Sequence, residues 1–434
     1  MREQETKEIR NRGVLVGLNA FSLPKEENAT EATMEELAAL LETAGGESVG
    51  VVLQTKDSPD PRTFIGEGKV AEVKALVQAM DADMVIFDNA LSPSQQRALN
   101  EDLGVAVLDR SALILDIFAQ RARTREGRLQ VELAQYKYLL PRLTGMWGHL
   151  VRQTASGGKS PIGTRGPGET QLETDRRHIR RKIAKLEGEL KEVRRVRATQ
   201  RERRIKNEIP VVAIVGYTNA GKSTLLNKLT GADIPANNRL FDTLDTTTRT
   251  LEVSDTCTVL LSDTVGFIRK LPHHLVEAFK ATLEELSFAD LLLHVVDASN
   301  EEWQEQAAVV EQLIHELGAD RTPRLEVFNK CDCWQGELRP QGENRVAISA
   351  KTGEGIPELL RAIGGILDTG AKRVTIHLPY DKGGLLDKLY QDAKVEQVDY
   401  SQTIDVVAVC TPKVIGQLGP LVEGWTPPRE PWEG

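Results

Sequence analysis

The fold of this chain turns on Val211-Val212-Ala213-Ile214-Val215-Gly216-Tyr217-Thr218-Asn219-Ala220-Gly221-Lys222-Ser223-Thr224-Leu225-Leu226. The apolar run 211–215 predicts a buried strand. It feeds directly into Gly216-Tyr217-Thr218-Asn219-Ala220-Gly221-Lys222-Ser223, and Thr224 continues into a helix. This is G-x-x-x-x-G-K-S in the strand–loop–helix setting that the motif needs. Its glycines let backbone N–H groups wrap phosphates, and the helix N-terminus favours negative charge. Lys222 is expected to reach the β- and γ-phosphates, and the Ser223 hydroxyl to coordinate Mg²⁺.

Two later motifs define the base and the switch. Asp263-Thr264-Val265-Gly266 follows a predicted strand at 258–261 and fits D-x-x-G. Asp263 is expected to hold Mg²⁺ through water, and the Gly266 N–H to meet the γ-phosphate. Asn329-Lys330-Cys331-Asp332 follows a predicted strand at 325–328 and fits N-K-x-D. The Asp332 carboxylate can accept from guanine N1–H and the exocyclic amine. Adenine offers no such pair, so an unpaired buried carboxylate would reject ATP. The Lys330 stem is expected to cover the base and Asn329 to brace the loop. Ser349-Ala350-Lys351 supplies the remaining base loop, with the Ala350 N–H on guanine O6. Motifs in this order on strand ends predict a guanine-nucleotide switch that binds and hydrolyses GTP. The first switch falls between 236 and 250, where Phe241-Asp242-Thr243-Leu244-Asp245-Thr246-Thr247-Thr248 offers several threonines for Mg²⁺. Position alone does not choose among them.

Working outward, residues 14–110 alternate apolar runs at 14–16, 49–53, 84–87 and 105–108 with helical stretches at 31–43, 68–80 and 93–103. This predicts a small parallel α/β sheet. Gly66-Glu67-Gly68 reads as a turn, because Ala71 replaces the third glycine of a dinucleotide fingerprint. Leu129, Leu133, Tyr136, Leu140 and Leu143 make one apolar seam, and Ile179, Ile183, Leu186, Leu190 and Val193 another, as in an antiparallel helical hairpin. The Gly-rich stretch 145–170 between them contains Gly157-Gly158-Lys159-Ser160, which lacks a first glycine and a preceding strand and reads as a basic tip. Residues 373–422 read as strand, helix, two strands, helix. The expected fold is multidomain α/β: an N-terminal α/β domain (1–120), a basic helical hairpin (121–207), a P-loop GTPase domain (208–371) and a small α+β appendage (372–434).

Composition narrows the setting. At 434 residues with 40% hydrophobic content, the chain can bury several cores, which excludes a disordered or disulfide-stapled protein. No run of about 18 apolar residues predicts a membrane-spanning helix. The charged start MREQETKEIRNRG has no apolar stretch of a signal peptide. Four scattered cysteines fit a reducing cytosol, so a cytoplasmic location is expected. Cys331 and Cys333 are too close for a usual metal pair. The net charge of −9 argues against a nucleic-acid partner only if it is evenly spread. It is not: residues 1–120 carry −10, residues 121–207 carry +14 and residues 208–434 carry −13. The hairpin is therefore a candidate footprint on a phosphate backbone.

With these motifs in place, the sequence resembles the HflX family of ribosome-associated GTPases, within the Obg-HflX group. The resemblance rests on residues 216–224, on Phe241-Asp242-Thr243-Leu244-Asp245 and on Asp263-Thr264-Val265-Gly266-Phe267-Ile268. Outside them it rests on Arg165-Gly166-Pro167-Gly168-Glu169-Thr170-Gln171-Leu172-Glu173, Glu132-Leu133-Ala134-Gln135 and Leu140-Pro141-Arg142-Leu143. It implies that Thr243 is the Mg²⁺ threonine. It also implies a protein that binds the large ribosomal subunit, splits or rescues ribosomes and acts under stress, with the N-terminal unit and hairpin on rRNA. The expected form is a monomer without membrane insertion. An adenine-nucleotide site is also attributed to that family, but residues 1–120 show no motif for one. Thr246 stands where the family usually has proline, and the stretch 154–161 is longer than the usual link. A GTP-gated module acting on another RNA or protein is the competing expectation.

Two positions bear on catalysis. Where Ras-like enzymes carry the glutamine that orients water, this chain has Phe267, which predicts slow intrinsic hydrolysis accelerated by a partner. Asn219 occupies a loop position that holds K⁺ in several related GTPases, making K⁺ a candidate second cation.

Overall fold

The computed structural model describes residues 11–143, 167–206, 209–232, 240–241, 243–244, 247–254, 257–271, 275–276, 279, 284–334, 342, 344–367, 372–401 and 403–425. Asp242, Asp245, Thr246, Gly370, Ala371 and residues 145–166 of the expected tip (145–170) lie outside the described residues, and the tip's last four residues, Pro167 to Thr170, are helical rather than loop.

The first unit alternates β1 (Arg12–Ala20), α1 (Glu31–Thr43), β2 (Glu47–Lys56), α2 (Glu67–Ala79), β3 (Met84–Phe87), α3 (Pro93–Leu103), β4 (Ala106–Asp109) and α4 (Arg110–Arg121). Its sheet is parallel in the order β2-β1-β3-β4. Local chemistry sets the helix starts. Thr30 and Ser92 each accept from the backbone N–H three residues on, while Thr33 and Gln95 reach back to the cap. Gly66-Glu67-Gly68 is less a free turn than a helix start, since Gly66 caps α2. Helix α4, absent from the sequence reading, begins where β4 ends, with the Asp109 side chain accepting from Ala112 N.

The hairpin follows as α5 (Arg125–Leu139) and α6 (Pro167–Lys206). Leu133, Leu186 and Leu190 are buried between them, flanked by Leu129, Tyr136 and Ile183. Ion pairs Glu126–Arg197 (2.6 Å) and Lys137–Glu187 (3.0 Å) match an early residue of α5 to a late one of α6, so the helices are antiparallel.

The third unit holds β5 (Val211–Gly216), α7 (Lys222–Thr230), β6 (Thr247–Ser254), β7 (Cys257–Asp263), β8 (Leu291–Asp297), α8 (Trp303–Glu316), β9 (Arg324–Asn329), β10 (Arg345–Ala347) and α9 (Ile356–Ile366). The strand order is β10-β9-β8-β5-β7-β6, parallel except for β6. The last unit is an antiparallel sheet β11-β13-β12, built from β11 (Lys372–Leu378), β12 (Lys394–Tyr400) and β13 (Ile404–Cys410), with α10 (Gly384–Asp392) and α11 (Pro412–Leu418).

The first and third units share a core. One buried cluster runs from Leu37, Leu41 and Phe118 to Tyr217, Phe241, Leu244, Phe267 and Phe279. Phe118 of α4 meets Phe241 and Phe279 edge-on, with centroids 4.7 and 5.0 Å away. Such pairs add about 0.5–1.5 kcal/mol each beyond the area they bury. Among the described residues no helix is long and apolar enough to cross a membrane.

Candidate functional site

Central strand β5 lies between β8 and β7 and is buried along almost its whole length. Its carboxyl end delivers the loop 216–223, and α7 starts at Lys222 with Gly221 as its cap at φ +91°. A side chain at Gly221 would be strained, and its Cβ would meet Asn329 Nδ2 at 2.2 Å. Gly266 approaches from the end of β7: a Cβ there would lie 2.9 Å from Thr218 Cγ2 and 3.0 Å from Lys222 Nζ. The backbone fastens the two loops, with Thr218 N donating to Phe267 O (2.7 Å) and Phe267 N to Gly216 O (3.1 Å).

Lys222 Nζ curls over its own loop and donates to Tyr217 O (2.8 Å) and Gly216 O (3.1 Å). Burial pulls its ammonium down to about 8, with the Asp263 carboxylate opposing. Ser223 Oγ lies 2.7 Å from Thr243 Oγ1 and donates to Asp263 Oδ2 at 2.7 Å. Burial raises the Asp263 carboxyl, offset by the Lys222 charge and the Ser223 hydrogen bond. Asp263 Oδ1 and Thr218 Oγ1 are both buried without a hydrogen-bond partner. One of these orphaned oxygens lies in the loop after β5 and the other at the end of β7, and each calls for a partner, because a buried unpaired polar atom costs about 1–3 kcal/mol. Two hydroxyls and a carboxylate are a hard-oxygen donor set that fits Mg²⁺.

Asn329 bridges the base loops. Asn329 Nδ2 donates to Ala220 O (2.8 Å), and its Oδ1 accepts from Ala350 N (2.9 Å). The Ala350 N–H expected on guanine O6 is thus donated to Asn329 in this structure. Lys330, at φ +62°, donates to Asp297 Oδ2 (2.7 Å). Ser349, then the Asp332 backbone, Cys333 and Lys351 hold the exposed Asp332 carboxyl below its usual range. It is therefore a ready anionic acceptor at neutral pH. Phe267 is a core residue, 1% exposed. Thr224 lies in the first turn of α7, and Val265, Thr264 and Cys331 are buried in the loops they occupy. Asn219 holds φ +62° and its side chain makes no hydrogen bond among the described residues.

The structure adds residues that the motifs do not contain. Tyr217 OH donates to Glu36 Oε2 of α1 (2.5 Å) and accepts from Arg269 N (2.9 Å). Glu36 pairs with Arg110, which also donates to Asp88 Oδ1 (2.7 Å). Lys270, just beyond Gly266, pairs with the other oxygen of Asp88. Arg269 is held by Glu302 (2.8 Å) and Glu305 (3.0 Å). A charged network thus ties the phosphate loop and its follower to the first unit. Nothing in the sequence marks Glu36 or Asp88 as its members.

Comparison with known proteins places these features in a family. Residues 31–119 match the family described as GTP-binding GTPase N-terminal, and 121–204 its middle region. Residues 211–330 match 50S ribosome-binding GTPase, and 338–407 match HflX C-terminal domain. GTPase HflX of Caldanaerobacter subterraneus subsp. tengcongensis is 49% identical over 92% of this chain and 90% of its own. GTPase HflX of Escherichia coli is 46% identical over 84% of this chain and 86% of its own. A solved GTP-binding protein of Sulfolobus solfataricus in complex with GDP is 24% identical over 82% of this chain and 99% of its own, with a TM-score of 0.43.

Proposed function

The chain belongs to the HflX GTPase family, and from that premise we propose that it is a switch that engages the large ribosomal subunit in its GTP state and splits or rescues ribosomes under stress. It is a GTP-hydrolysing enzyme. The observation that carries the ribosomal reading is the outer face of α6, where Arg177, Arg180, Arg181, Arg194 and Arg195 are exposed on a segment of net charge +14. That surface suits an RNA backbone, while the acidic flanks discourage loose binding elsewhere. The reading assigns RNA contact to residues 121–207, nucleotide chemistry to 208–371 and supporting contacts to 1–120 and 372–434. It has the protein working as a cytoplasmic monomer.

In this reading Asp332 selects guanine, with Asn329 and Lys330 fixing its loop beside Ser349, Ala350 and Lys351. The backbone of residues 216–221 wraps the phosphates, Thr224 follows in the helix start, and Lys222 leaves Gly216 O and Tyr217 O to neutralise the β- and γ-phosphates. Ser223, Thr243 and Asp263 would hold Mg²⁺, with Phe241, Asp242, Leu244 and Asp245 setting the position of Thr243. Mg²⁺ bound there supplies charge neutralisation on the phosphate oxygens. The Gly266 N–H reports the γ-phosphate, flanked by Thr264 and Val265. Phe267, buried in the core, supplies no hydrogen bond to the attacking water, so rapid turnover needs a group or an ordering contact from the partner. Asn219 is free to face the phosphates, and we assign it to a K⁺ ion. Equal GTPase rates in K⁺ and Na⁺ would remove that assignment.

Sedimentation with ribosomes tests the main proposal. With a non-hydrolysable GTP analogue, the protein should travel with large subunits and intact ribosomes should decline; with GDP it should stay at the top of the gradient. No co-sedimentation in either state overturns the reading. Binding should also fall steeply with salt, and charge reversal at Arg180, Arg194 and Arg201 should weaken it without changing nucleotide affinity.

A further inference from the structure

Strands β8 and β9 run side by side, and their register sets His294 opposite Glu326. Leu292, on the same face as His294, packs in one cluster with Val310, Leu313 and Ile314 of α8. Helix α8 therefore covers that face, and its Glu311 reaches the same spot. A ring nitrogen of His294 and one carboxylate oxygen each from Glu311 and Glu326 lie within 4.8 Å of one another.

His294 is 2% exposed, and its ring makes no hydrogen bond among the described residues. Burial, reinforced by Arg324, pulls its imidazole down to about 4, so the ring is neutral with a lone pair at physiological pH. Glu326 Oε2 accepts from Arg345 Nε (2.6 Å), a hydrogen bond that orients the carboxylate and leaves Oε1 to face His294 and Glu311. Glu311 is exposed and its side chain can swing.

We propose that His294, Glu311 and Glu326 form a site for one divalent transition-metal ion of the zinc class, with one imidazole nitrogen, two carboxylate oxygens and an open position on the Glu311 side. Donors bind one such ion at about 2.0–2.2 Å, and the two glutamates adjust around it while the buried His294 stays fixed. The site is separate from the oxygen cluster of Ser223, Thr243 and Asp263. Further along, Asp297 at the end of β8 and Lys330, just past β9, pair at the base loop (2.7 Å).

The test is metal titration of the full chain saturated with GDP and excess Mg²⁺, which occupy the nucleotide site. Wild type should bind one Zn²⁺. Glu311→Gln and Glu326→Gln should each weaken it by about ten-fold or more. Co²⁺ in place of Zn²⁺ should give visible bands without a sulfur charge-transfer band, and Zn²⁺ should raise the melting temperature of wild type but not of Glu311→Gln. Because Glu311 is exposed, that variant folds whatever its role. No Zn²⁺ binding by wild type, undiminished affinity in both variants, or a thiolate band pointing to a cysteine such as exposed Cys333 would each overturn the proposal.

Discussion

The two ends of the nucleotide site are built differently. At the base end, the contacts that join the loops among the described residues lie within the third unit: Asn329 to Ala220 and Ala350, Lys330 to Asp297, and Cys331 N to Ile348 O. At the phosphate end, the loop and switch segments reach into the first unit: Tyr217 to Glu36, Lys270 to Asp88, and Phe241 to Phe118. The difference teaches that base recognition is a local property of one sheet. The phosphate end is shared property, so a movement of the switch segments must repack a neighbouring unit.

The comparison can be broken first at the base. Asp332→Asn removes the charged acceptor, and two charge-assisted hydrogen bonds are worth about 1.5–3 kcal/mol each. GTP and GDP affinity should fall by roughly 10²- to 10⁴-fold in a fluorescent-nucleotide titration, with little change in the melting temperature because Asp332 is exposed. At the other end, Lys222→Ala should cut single-turnover GTP hydrolysis by about 10²- to 10³-fold, the usual cost of losing one electrostatic stabiliser. Glu36→Gln sharpens the contrast. It strips the charge that Arg110 and Tyr217 share; Arg110 keeps Asp88, so the loss is that of a charge-assisted hydrogen bond, about 1.5–3 kcal/mol. Its unfolding midpoint should drop accordingly, while GDP affinity stays within about three-fold, since the base end does not depend on Glu36. An equal loss of GDP affinity would contradict the division.

The smallest effect is a pH dependence. The Lys222 ammonium lies at about 8 in the fold, against 10.5 for the free side chain. Between those values the unfolded chain carries the extra proton, so raising the pH favours the folded state. Nucleotide-free wild type should therefore gain stability between pH 8 and 10 relative to Lys222→Met, in parallel denaturation series. Identical pH profiles would show that this burial costs nothing.

Much of this was legible in the sequence because it is local. The run 211–226 carries its strand, loop and helix in consecutive residues, and the hairpin seams repeat at helical spacing. The parallel alternation of the first unit and the strand, helix, two strands, helix of the last are likewise written in short runs. Helix α4 was not legible, because Arg110 follows β4 with no turn residue between them. The network of Glu36, Asp88, Arg110, Tyr217 and Lys270 joins residues 181 and 182 positions apart. Each is an ordinary polar residue in its own segment, and only the shared core makes them neighbours. The bond from Ala350 N to Asn329 was hidden for a related reason: a motif names which loops meet a base, but not which atoms they spend on one another. Phe267 showed in the sequence that the position after D-x-x-G carries no glutamine, and its burial explains why an apolar ring stands there.

The most direct test of the account is GTP turnover by the full chain alone and with purified large ribosomal subunits, under the same Mg²⁺ and K⁺. With Phe267 buried at the position where Ras-like enzymes carry the water-orienting glutamine, turnover should be slow alone and at least about ten-fold faster with large subunits. The same rate in both conditions would contradict it.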